Sequence, residues 1–173
     1  VFFAASPLQA EPPAPAQNNA MTVKWSRDKA IIEIGDTIAD MPLDAVIQQF
    51  STATDPLERN NAARSLGIRA VENAPLWPRV VALFAERQKT ETDPGARWQM
   101  VYWLGRIGGN HQASAVPVMA LLEDIFSKET DVDTRAESLL AMAMTAESFK
   151  SVLPPALRIM LSAGLSDPDE KVR

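Results

Sequence analysis

Cysteine is missing from all 173 residues. Its absence excludes disulfides, thiolate metal sites, a cysteine nucleophile and a lipoprotein anchor within this stretch. Histidine occurs once, as His111, so a single imidazole, the side chain that titrates nearest neutral pH, remains for chemistry. A surplus of positive charge is missing too: 17 Lys and Arg stand against 22 Asp and Glu, a net charge of −5. Such a balance offers no general attraction to a phosphate backbone, and nucleic acid is not an expected partner.

What is present is apolar enough to fold. Hydrophobic residues make up 46% and charged residues 23%, a composition that is neither disordered nor fibrous. The length suits one ordinary domain or a short series of repeated units.

The stretch Asp55 to Gly67, DPLERNNAARSLG, decides between these. It returns as DPGARWQMVYWLG from Asp93 and more loosely as DVDTRAESLLAMA from Asp131, and its opening returns at Asp169. Asp55, Asp93, Asp131 and Asp169 are each followed four residues on by Arg59, Arg97, Arg135 and Arg173, and both series step by 38 residues. A fixed period of this size marks stacked supersecondary units.

Four regions follow. Residues 1–10 begin with an apolar VFFAA and end on Leu8-Gln9-Ala10, the pattern in which a secretory signal peptide finishes, so export to a periplasmic or extracellular setting is expected. Residues 11–20, rich in Pro and Ala, read as a solvated linker. Residues 21–41 contain alternating Val23 and Trp25 and a β-branched run from Ala30 to Ile34, read as a short hairpin that caps the first unit. Residues 42–173 are read as the array, truncated in its fourth unit.

Within each unit two helices are expected. Helix A carries its proline early, at Pro42, Pro78, Pro117 and Pro155, where a first turn tolerates it. Asp then caps helix B, with Pro56 and Pro94 at its first position. Ala62, Ala63 and Leu66 lie on the inner stripe of the first B helix, and Gly67 is placed near its stop.

This grammar, Asp-Pro and then Arg-x-x-Ala-Ala-x-x-Leu-Gly, resembles the HEAT repeat, with Arg59, Ala62, Ala63, Leu66 and Gly67 matching in turn. The second unit keeps Arg97, Leu104 and Gly105; the third keeps Arg135 but replaces the rest by Ser138, Leu139, Met142 and Ala143. The resemblance implies an all-α, right-handed solenoid of about three and a half antiparallel helix pairs, and a protein-binding scaffold without a cofactor. HEAT-like hydroxylases hold iron with repeated His-Glu pairs, which a single histidine cannot supply. Bilin-lyase-related arrays lack a short motif and stay as an alternative, as does a structural spacer for a further domain.

The Asp and Arg columns are read as a structural ladder in which each arginine reaches the Asp or the turn carbonyls of a neighbouring unit. One Asp per unit, each matched by a cation, cannot gather the oxygens a metal needs. His111 follows Gly108-Gly109-Asn110 and is read as a solvated loop residue. The candidate binding site is on helix B, where Asn60 aligns with Trp98 and Ala136, and Arg64 with Tyr102 and Leu140. The polar first-unit members place these columns on an outward, concave face on which Trp98 and Tyr102 form an aromatic pair. Burial in a mid-array helix is the competing environment for the same pair. A protein partner on this face is expected, with no stable membrane insertion of the mature part.

Overall fold

A computed structural model describes residues 38, 40–149 and 155–173, with the side chains of residues 155–157, 159 and 160 left aside. The expected signal-like segment, the linker and the Val23 to Ile34 hairpin lie outside the described residues. Those described are helical with short connections, and form no strand. In chain order the helices are α1 (Leu43–Thr52), α2 (Pro56–Glu72), α3 (Trp77–Gln88), α4 (Pro94–Asn110), α5 (Ala115–Lys128), α6 (Val132–Ala146) and α7 (Pro155–Leu165).

The starts of α2, α4 and α6 follow directly from local chemistry. Asp55, Asp93 and Asp131 are in extended conformation, and each carboxylate accepts from a first-turn N–H: that of Leu57 at 2.9 Å, of Ala96 at 2.8 Å and of Thr134 at 2.8 Å. One otherwise orphaned donor is thereby satisfied at each helix start, and the negative charge meets the positive end of the helix dipole. Asp169 repeats the arrangement by accepting from the Lys171 N–H at 2.9 Å.

Packing pairs the helices in order. α1 lies against α2, α5 against α6, and α2, α4 and α6 lie side by side as the innermost row. Ala62, Ala63 and Leu66 of α2, Met100, Val101 and Leu104 of α4, and Ala141 and Met142 of α6 are fully buried in one continuous core, with Val46, Val80, Phe84, Val118 and Leu122 from the outer helices. Each large side chain so enclosed contributes about 1.5–3 kcal/mol of transfer free energy. Of the four departures in the third unit, Ser138 and Met142 are buried like Met100 and Leu104, the equivalents one period back, whereas Leu139 is half-buried and Ala143 exposed. Ser138 tolerates this because its hydroxyl donates to the Thr134 carbonyl at 2.8 Å.

Gly67 does not stop its helix, contrary to the expectation from sequence: α2 runs on to Glu72 and α4 runs past Gly105 to Asn110. The two glycines let neighbouring helices approach. A Cβ on Gly67 would overlap the Trp103 indole, and one on Gly105 would lie 2.7 Å from the Ala141 Cα. The helices continue because burial of their lower turns outweighs the propensity cost of about 1 kcal/mol per glycine.

Candidate functional site

The arginine column does form a ladder, but on different partners from those expected. Arg59 donates from Nε and Nη2 to the two carboxylate oxygens of Glu91, both at 2.7 Å. Arg97 holds Glu129 in the same way at 2.9 and 3.2 Å, and Arg135 holds Asp167 at 3.0 and 2.9 Å. In all three pairs the acid lies 32 residues beyond the arginine. It is therefore the residue two places before the next capping Asp, not that Asp itself, whose oxygen is already occupied by its own helix start.

The remaining guanidinium nitrogen turns back to carbonyls of its own unit. Arg59 Nη1 donates to Ala53 and Thr54, Arg97 Nη1 to Glu91 and Thr92, Arg135 Nη1 to Thr130, and Arg173 Nη1 to Asp167 and Pro168. The acid is bound from its other side as well. Glu91 accepts from the Asp93 N–H at 2.9 Å, Glu129 from the Asp131 N–H at 2.8 Å and Asp167 from the Asp169 N–H at 2.9 Å. Each clasp thus joins two successive turns through a planar fork that matches a carboxylate.

Electrostatics differ along the ladder. Burial of Glu91 raises its affinity for a proton, but hydrogen bonds from Arg59, from the Asp93 N–H and from Arg87 outweigh this and lower its pKa from the ordinary 4.5 to about 2. The same hydrogen bond raises the pKa of Arg59 above its usual range. Asp167 is held below the usual carboxylate range, first by the Asp169 N–H and then by Arg135. Both partners of the first clasp are buried, and only 1% of the Glu91 side-chain surface reaches solvent.

Of the binding residues expected from sequence, two face inward. Asn60 is 5% exposed and Trp98 is 8% exposed, because the neighbouring inner helices cover that column irrespective of its polarity. The Asn60 Nδ2 has no hydrogen-bond partner among the described residues. Arg64 and Tyr102 are half-buried, and Leu140, at the equivalent position of α6, is 46% exposed. On α2 and α4 the columns therefore divide into a buried one beneath and a half-open one above, while on α6 Ala136 is half-buried and Leu140 exposed.

Tyr102 is gripped on several sides. Its ring stacks on Trp98 with centroids 5.5 Å apart, meets Trp103 edge-on at 5.2 Å, and carries the Arg106 guanidinium 5.6 Å from its centroid. Such contacts hold a large side chain in one orientation. Ile68 and Met144, half-buried, and Arg106, exposed, occupy the next turn of the three helices.

His111 is not a solvated loop residue. It terminates α4, is half-buried, and its Nε2 lies 2.8 Å from the Ala70 carbonyl of α2. A carbonyl can only accept, so that nitrogen carries the proton. An open groove of about 370 Å³ between α3 and α5 contains Glu91, Arg97, Asp124 and Glu129. Its carboxylates are already matched: Glu91 by Arg59 and Arg87, Glu129 by Arg97, and Asp124 by Lys128. Among the described residues no cluster of His, Asp or Glu is arranged to hold a metal, and no helix is long and apolar enough to cross a membrane.

The acid column at 91, 129 and 167 escaped the reading from sequence. Its signal was an acidic residue two places before Asp93, Asp131 and Asp169, at the same spacing as the Asp column itself, with Ala53 in place of an acid before Asp55. No family model, curated protein or solved structure matches the chain.

Proposed function

We propose that the chain is an exported, right-handed α-solenoid of about three and a half HEAT-like helix pairs that acts as a non-catalytic scaffold for a protein partner. The observation that supports this is the alignment of Arg64, Tyr102 and Leu140 at one level of the adjacent helices α2, α4 and α6, each open to solvent at least in part. A cation, an aromatic ring and an aliphatic side chain are set side by side on rigid elements, and Tyr102 rests on a buried tryptophan. Arginine and tyrosine are the residue types that dominate binding hot spots, and prior fixing of the side chain lowers the ordering cost of association. In arrays of this kind the inner helices line the concave side. The partner therefore lies across α2, α4 and α6.

A photo-crosslinking residue at position 140, expressed in the native cell, tests the reading. A discrete adduct is expected there and not from the same residue placed at Val116, which is 66% exposed on α5. Absence of an adduct at 140, or equal labelling from both faces, overturns the scaffold reading.

A further inference from the structure

Arg106 stands apart from most arginines of the innermost row. Arg59, Arg97 and Arg135 are each committed to a carboxylate, and Arg69 donates to the carbonyls of Ile38 and Met41. The Arg106 guanidinium is exposed and rests on the Tyr102 ring, with no carboxylate paired to it among the described residues. Acids outnumber bases in the chain by 22 to 17, so the missing counter-ion does not reflect scarcity. Glu137, the acid of α6 one turn before Leu140, is buried and engaged in interactions of its own.

The surroundings specify what would complete this site. A carboxylate on Arg106 gains a charge-assisted bidentate bond, and the guanidinium is already oriented by the ring beneath it. Leu140 and Met144, on the neighbouring helix, offer apolar surface at the same two levels as Tyr102 and Arg106. Arg64, at the level of Tyr102 on α2, is engaged in an interaction of its own, which leaves Arg106 as the charge a ligand meets. An acidic side chain next to a large apolar one matches both halves of the surface.

Resting on the scaffold reading, we propose that the partner segment recognised by α2, α4 and α6 is an acidic peptide, with a carboxylate on Arg106 and an adjoining leucine- or phenylalanine-like side chain on Tyr102, Leu140 and Met144. A basic or nucleic-acid ligand does not fit the apolar half, and a basic one is repelled by Arg106.

A random peptide library displayed on phage, selected on the whole chain, tests the chemistry. Recovered sequences are expected to be enriched in Asp or Glu beside a large apolar residue. A synthetic peptide of the recovered sequence should bind about tenfold more weakly to Arg106→Glu, a loss typical of one severed hot-spot contact. Added salt should weaken binding further. Arg79→Glu, a change at an exposed position of α3, should bind like the unaltered chain. Recovery of no peptide, of peptides without acidic enrichment, or of acidic peptides indifferent to Arg106→Glu overturns the proposal. An adduct at position 140 combined with non-acidic peptides removes the acidic chemistry and leaves the scaffold; no adduct and no peptide removes both.

Discussion

Arg59 and Glu91 meet through two hydrogen bonds of 2.7 Å, and Glu91 also accepts from Arg87 at 3.1 Å and from the Asp93 N–H at 2.9 Å. One buried carboxylate therefore ties the start of α2, the end of α3 and the turn into α4. Its neutralisation should be felt well beyond the pair.

Replacing Glu91 by Gln keeps the side-chain volume and leaves the Arg59 guanidinium buried without a counter-charge. Breaking a buried pair in this way costs about 3 kcal/mol. A lower urea midpoint with an unchanged denaturant slope is the expected readout. Arg97→Ala should also lower the melting temperature, by less, because its side chain is more exposed than that of Arg59. A loss under about 1 kcal/mol for Glu91→Gln would class the clasp with ordinary surface pairs.

Acid should weaken the fold through the same residue. The Glu91 pKa is depressed in the folded state, so the unfolded chain takes up its proton first and the stabilisation, complete above about pH 4.5, is lost as pH falls towards 2. With solvent screening allowed for, the Glu91 share is about 2 kcal/mol. Urea unfolding of the parent and Glu91→Gln across this interval should show the two stabilities converging. Parallel curves would show that Glu91 does not carry the acid sensitivity.

Gly105→Ala gives a test with a diagnostic sign. In a free helix the change is favourable by about 1 kcal/mol. Here the new methyl meets the Ala141 backbone at 2.7 Å, and separating α4 from α6 should cost about 2 kcal/mol net. Thermal unfolding that shows stabilisation would mean that the inner helices are not so closely apposed.

Trp98 and Leu140 should separate stability from surface. Trp98→Ala removes a buried indole and should destabilise by about 3 kcal/mol or more. Leu140→Ala alters an exposed side chain and should stay within about 0.5 kcal/mol of the parent. Equal losses in chemical denaturation would show that both positions belong to the interior.

The legible part of the fold was its punctuation. An Asp before Pro states its role locally, since capping needs only a side-chain oxygen and a free N–H within the next three residues, and Asp55 and Asp93 could be placed without knowing what surrounds them. The Arg partners were harder because the acid column reads Ala53, Glu91, Glu129, Asp167, changing residue type and lacking an acid at its first position. Asn60 misled for a related reason: polarity predicts exposure only where no second helix covers the position, and coverage is a tertiary property. His111 belongs with it, for a glycine-rich approach suggested a loop while the ring in fact reaches a carbonyl on a helix more than a period upstream. The candidate site was half readable. Tyr102 and Arg64 occupy an accessible column, whereas Trp98 supports it from within.

At the far ends of these same helices, Ser148 donates back to the Gly108 and Gly109 carbonyls at 2.6 and 3.1 Å, while at the near ends Arg97 reaches forward to Glu129. Fastened at both extremities, α4 and α6 resist scissoring and lengthwise sliding alike. Mechanical load along the stack would then be borne with little give until a whole rung detaches, so extension in a force experiment should proceed by discrete jumps instead of a gradual uncoiling.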